Sequence, residues 1–242
     1  MELIPKKSVH GLVGSNGRGF DLQQTSRTVP VIFIAGSDPV LDGLVLSLAH
    51  PRGNLTGFYV FEPSLGAKLL ELLKEMAPHV ARVAILSNPD VSQANWHASV
   101  APAAARLAVK VVEAPLHDFN EIEAAMAQWG RERNFGLIVV PDPATNAHRK
   151  LINELAASRR LPVIHALRAA VAEGGLMSYG VDLPVFRQSA AYADRILKGA
   201  NPADLPISLP TRFELVINLT TAKALGIDVP LSLMLRADEM LD

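Results

Sequence analysis

VPVIFIA, residues 29–35, is the stretch on which the fold turns. It is a short continuous apolar run rich in β-branched residues, as a strand buried on both faces requires. Gly36-Ser37-Asp38-Pro39 closes it, and residues 40–49 then carry apolar side chains at helical spacing. Downstream the alternation repeats. Strands are predicted over 55–61, 82–87 (RVAILS), 110–114, 135–140 (FGLIVV) and 161–165. Between them, helices are predicted over 65–76, 92–108, from near 118, and around 147–158. Asp118 with Glu121 makes a capping-box-like start. Such alternation predicts parallel βαβ units in an open α/β sheet flanked by helices. The tail departs from it, with a helix over 184–198 stopped by Gly199-Ala200-Asn201-Pro202, an alternating strand over 212–219 and a short helix over 220–225 ended by Gly226.

Composition bounds the rest. At 242 residues and 49% hydrophobic, the chain buries a sizeable core as one large domain or two small lobes, and disorder is excluded for most of it. A formal net charge of -1 supplies no electrostatic footprint for nucleic acid. The absence of cysteine removes thiolate catalysis, disulfides and cysteine-based zinc sites. No apolar run approaches the ~18 residues of a membrane span. Residues 1–28 read as a flexible leader, with Lys6-Lys7 followed by Gly11, Gly14, Gly17 and Gly19 and no apolar period. They are not a phosphate-binding loop, because no strand precedes and no amphipathic helix follows. No apolar stretch of ~7–15 residues follows the lysines, so no export signal is expected.

Chemistry in an open parallel sheet sits beyond the carboxyl ends of the strands. Three predicted strands end in polar, proline-stiffened turns: Ser37-Asp38-Pro39, Ser87-Asn88-Pro89-Asp90 and Pro141-Asp142-Pro143. Two readings stand for them. As a ligand rim, the helix N-termini would favour a carboxylate while Asp38 and Asp142 hold an ammonium, which suits a zwitterionic small molecule. As local structure, Asp, Asn and Ser are ordinary helix N-caps. Gly174-Gly175-Leu176-Met177-Ser178-Tyr179-Gly180 is the second notable segment, either backbone approaching a ligand beside Tyr179 or a strand with a buried tyrosine. Catalytic signatures are missing: Leu176 stands where a nucleophile elbow needs glycine, and the seven histidines include no metal-type i, i+4 pair. His165 reads as a strand-end residue.

Beyond residue 29 the chain resembles the ABC-transporter substrate-binding proteins of the type I periplasmic-binding-protein fold. The resemblance rests on VPVIFIAGSDPVLDGLV (29–45), HPRGNLTGF (50–58), AKLLELLKEMAP (67–78), RVAILSNPD (82–90), GGLMSYGVDL (174–183), ADRILKGANPADLPI (193–207) and FELVINLTTAKALGIDVP (213–230). It implies two α/β lobes with a ligand cleft between them, an amino acid or similar small polar ligand, delivery to an ABC permease, a periplasmic location, and neither catalysis nor cofactor nor metal. Carried over by position, it implies ligand contacts from Asp38, then from Asn88, Ser92, Asn95 and Asp142, and from Tyr179, Gly180 and Asp182. The expected organisation is a leader (1–28), a partial lobe one (29–61 and 166–206) and a complete lobe two (62–165 and 207–242). The signal peptide and first part of lobe one usual in such proteins are not expected here, so a genuine start at Met1 would leave the protein in the cytoplasm. A partial sheet would expose an unpaired edge and invite self-association. The alternatives are a truncated, noncatalytic remnant that self-associates, and an α/β enzyme using Asp38 or Asp142.

Overall fold

The computed structural model describes residues 10–13, 28–35, 39–40, 43–59, 64–88, 96–115, 120–132, 134–181, 184–210 and 212–242. The strands are β1 (His10–Val13), β2 (Val31–Ala35), β3 (Leu55–Tyr59), β4 (Arg82–Ser87), β5 (Lys110–Pro115), β6 (Phe135–Val139), β7 (Val163–His165), β8 (Met177–Val181), β9 (Phe213–Asn218) and β10 (Glu239–Leu241). The helices are α1 (Leu65–Met76), α2 (Trp96–Arg106), α3 (Asn120–Trp129), α4 (Pro143–Ala147), α5 (Arg149–Ser158), α6 (Arg168–Ala172), α7 (Pro184–Leu197), α8 (Leu219–Leu225) and α9 (Leu231–Met234). The chain divides into unit 1, Met1–Phe61 with Leu183–Thr211, and unit 2, Glu62–Asp182 with Arg212–Asp242.

Unit 1 is built on a three-stranded parallel sheet in the order β1-β2-β3. Successive side chains of a strand point to opposite faces, and both faces of β2 are covered. Val31 and Phe33 pack with Leu44, Val45, Leu55, Tyr59 and Ile207 on one side. Ile32 and Ile34 pack with Phe58, Leu205 and Ile196 of α7 on the other. The continuous apolar run therefore has the physical cause proposed for it. After α7 the chain returns to the sheet: Ser208 bridges to Phe58, and the buried Thr56 hydroxyl donates to the Leu205 carbonyl at 2.8 Å.

Two expectations for this unit need correction. Residues 40–49 were predicted helical, but the described residues among them take turns and bends. Gly43 lies at φ 70°, outside the right-handed helix, and the Leu44 and Val45 amides both donate to the Pro39 carbonyl. The apolar spacing serves packing instead, since Leu44 and Val45 are buried against β2. Within the stretch predicted as a flexible leader, residues 10–13 form β1, paired in parallel with β2 from His10 opposite Val31 to Val13 opposite Ile34. Four residues beside glycines carry no detectable period, yet they supply backbone partners to an open strand edge.

Unit 2 carries a seven-stranded sheet in the order β10-β9-β8-β7-β6-β4-β5, parallel except between β8 and β9. Ala84, Leu86, Leu137, Val139 and Val163 on one face pack with Ile122 and Met126 of α3 and Ile152 and Ala156 of α5. Helix α1 covers the other face, with Leu69, Leu70 and Leu73 fully buried. Helices on both faces explain why strands such as FGLIV read as uninterrupted apolar runs. The predicted helix around 147–158 is two helices, α4 and α5, meeting at His148. Arg168 grips Glu239 with two charge-assisted hydrogen bonds of 2.6 and 2.8 Å, fixing the edge strand β10 to the start of α6.

The division between units falls after residues 61, 182 and 211, where the sequence placed it after 61, 165 and 206. Strand β8 joins the larger sheet because it pairs with both β7 and β9, so residues 166–182 lie in unit 2. Residues 207–211 stay in unit 1 because Ser208 is bound to the backbone of β3 on both sides of Phe58. Among the described residues, no helix is long and apolar enough to cross a membrane.

Candidate functional site

In unit 2 the chain passes from β4 outward to β5 and then crosses back to place β6 on the other side of β4. The strand order thus reverses at the β4–β6 boundary, and in open α/β sheets the crevice beyond the carboxyl ends at such a point is the preferred ligand position. Asp142 stands there. It follows β6 in extended conformation and caps α4, its Oδ1 accepting the Thr145 amide at 2.8 Å. Pro143 at the first helical position has no amide to satisfy. The Thr145 hydroxyl accepts from the Asp142 amide and donates to the Val140 carbonyl at 2.7 Å, closing a capping box. Asp142 Oδ2 then accepts the Asn88 amide at 3.0 Å, from the residue just beyond β4. One carboxylate, 4% exposed, therefore caps a helix and ties together the two strand ends that flank the reversal.

The neighbouring strand ends are polar as well. His165, the last residue of β7, is buried, and its Nε2 lies 2.8 Å from Asn153 Oδ1 on α5. Asn153 Nδ2 donates to the Ala170 and Glu173 carbonyls, so Oδ1 is the acceptor and His165 Nε2 carries the proton. Burial lowers the His165 pKa to about 3 and keeps the ring neutral. Ser178 on β8 pairs in register with His165, and its buried hydroxyl has no hydrogen-bond partner among the described residues.

Tyr179 and Gly180 follow on β8. Tyr179 is half-buried, with its ring stacked on Phe213, centroids 5.6 Å apart and planes 15° apart. Because β9 runs antiparallel to β8, its first residue, Phe213, comes to the same rim and pairs with Val181. Gly180 is required by protein backbone: a Cβ there would lie 1.8 Å from the Ala166 carbonyl oxygen. Of the eight residues carried over, Asn88, Asp142, Tyr179 and Gly180 thus sit at the carboxyl ends of unit 2 strands. Asp38, Ser92, Asn95 and Asp182 lie outside the described residues. Phe213 escaped the sequence reading, since its only signal was its place at the start of an alternating strand. Among the described residues no group of three or more His, Asp or Glu side chains is placed to hold a metal.

Known proteins agree with this architecture. A conserved domain protein from Vibrio cholerae O1 biovar El Tor matches with a TM-score of 0.82 at 26% identity, over 96% of this chain and 78% of that one. An ABC domain from Streptococcus pneumoniae, solved in complex with L-Trp, matches with a TM-score of 0.82 at 24% identity, over 92% of this chain and 75% of that one. A curated relative, the tyrosine-binding protein of Clostridioides difficile (strain R20291), is 27% identical over 202 residues. That alignment covers 83% of this chain, which spans 58% of the length of the relative. The family model for ABC transporter substrate binding proteins matches residues 15–241. The chain, with its α/β units of mostly parallel sheet flanked by helices, belongs to the ABC transporter substrate-binding protein family, of the type I periplasmic-binding-protein fold.

Proposed function

We propose that this protein is the solute-binding component of an ABC transporter and takes an amino acid, with aromatic amino acids the first candidates, at the carboxyl-end rim of the unit 2 sheet. The observation that carries the reading is the Asn88–Asp142 hydrogen bond, which joins the ends of β4 and β6 where the strand order reverses. The tyrosine-binding relative supports the ligand class. The proposed contacts are Asn88, Ser92, Asn95, Tyr179, Gly180 and Asp182, with Asp38 carried over by the resemblance. Amide and hydroxyl groups of Asn88, Ser92 and Asn95 suit a ligand carboxylate, and Asp38 and Asp182 suit its ammonium. Asp142 is a proposed contact as well and organises the rim, since each of its oxygens accepts one backbone amide and keeps acceptor capacity for a ligand donor. Family membership supports delivery to a permease, work outside the cytoplasm and the absence of catalysis.

A thermal-melting panel of the standard amino acids tests this reading. A ligand at a hundred times its Kd adds about 2.7 kcal/mol of stability and should raise the Tm by roughly 5–10 °C for a chain of this size. A concentration-dependent rise with an aromatic amino acid is the expected result. No shift with any amino acid at millimolar concentration contradicts it.

A further inference from the structure

The Tyr179–Phe213 pair has a use beyond joining two strands. We propose that Phe213 is a specificity-determining residue: by stacking on Tyr179 it holds that ring in place, and the fixed ring selects amino acids with aromatic side chains. The proposal rests on the amino-acid reading above and adds to it the residue that sets the preference for an aromatic side chain.

The geometry supplies the reason. Tyr179 stands two positions before the end of β8, and Phe213 opens β9, opposite Val181. The contact is therefore diagonal across an antiparallel pair, a separation that aromatic side chains bridge. At 5.6 Å and 15° the rings are stacked, an arrangement favoured by their quadrupoles. Neither residue is fully buried, and the stack with Phe213 narrows the rotamers open to the Tyr179 ring. Phe213 orders the ring beforehand, and preorganisation lowers the entropic cost of binding. An aromatic ligand ring gains stacking geometry from such a surface in addition to apolar burial, whereas an aliphatic chain gains burial alone.

The test is calorimetric titration of the full chain with L-tyrosine, L-tryptophan and L-leucine, comparing wild type with Phe213→Leu and Phe213→Tyr. Wild type should bind the aromatic ligands more tightly than leucine. Phe213→Leu should weaken aromatic binding roughly fivefold to tenfold while leucine affinity changes by less than about twofold. Phe213→Tyr restores a ring and should keep the preference. If Phe213→Leu lacks the wild-type circular dichroism spectrum, Phe213→Met, with a flexible apolar chain, replaces it with the same expectation. Equal loss for all three ligands, or no loss, marks the pair as strand packing and overturns the inference. Leucine bound as tightly as the aromatic ligands by wild type also overturns it, as does binding of another amino acid with none of these three. Failure of wild type with every amino acid overturns the broader reading, and this inference with it.

Discussion

His165 shows how one residue links fold to solution behaviour. Its ring is buried and neutral, donating to Asn153, which in turn holds the Ala170 and Glu173 carbonyls. The unfolded chain takes up a proton at this histidine near pH 6.5, while the folded chain refuses it down to about pH 3. Above pH 6.5 both states are neutral and the group contributes nothing to the pH dependence. Below it, protonation favours the unfolded state, and stability falls by about 1.4 kcal/mol per pH unit through that window. Urea denaturation of wild type should therefore lose about 2 kcal/mol between pH 6.5 and 5 beyond the loss in His165→Gln, which can still donate to Asn153. An equal loss in both proteins would show that this histidine does not drive the acid sensitivity. The strand-end position of His165 was legible in the sequence. Its partner was not, because burial and the Asn153 contact arise only when α5 packs on the sheet.

At the scale of elements, local signals were read well where they were self-contained. The amphipathic spacing of 65–76 delimits α1 at both ends, and the apolar run of 135–139 is a strand covered on both faces. At 142–143 the sequence offered an N-cap aspartate followed by proline, but it placed the helix from about 147; the structure starts it at Pro143, with Thr145 closing the capping box. Of the cap and ligand readings of the turn, the structure shows the cap for Asp142, together with a tie to Asn88, and the ligand contact stays a proposal. That tie was invisible because it joins residues 54 apart. Asp142→Ala removes both bonds and should cost about 1–3 kcal/mol. Asp142→Asn keeps an acceptor for Thr145, though not for Asn88, and should cost less. Denaturant midpoints of the two variants, with ligand affinity alongside, check this. Ligand affinity should fall in both, because the Asn88 backbone just beyond the paired ends of β4 and β6 loses its tie to residue 142. Unchanged affinity in both would contradict the organising role. The misread helix at 40–49 shows the opposite case, in which one glycine at positive φ overrides a plausible apolar spacing.

At the scale of the molecule, the alternation of strands and helices made the fold class legible. The distribution of strands between sheets was harder to read. Strand β8 reads locally as a returning segment, yet it joins unit 2 because β9 arrives antiparallel at its free edge. That same reversal carries Phe213 to the rim beside Tyr179, so the residue that completes the aromatic pair is set by topology rather than by any motif. Family membership covers nearly the whole chain, residues 15–241, and makes solute binding the central claim. Calorimetric titration of the intact protein with L-tyrosine tests that claim most directly, repeated with L-tryptophan and L-phenylalanine. The account predicts saturable binding of one ligand per chain to at least one of the three, weakened in Asp142→Ala. Absence of saturable binding to all three, by a protein that melts cooperatively, would contradict it.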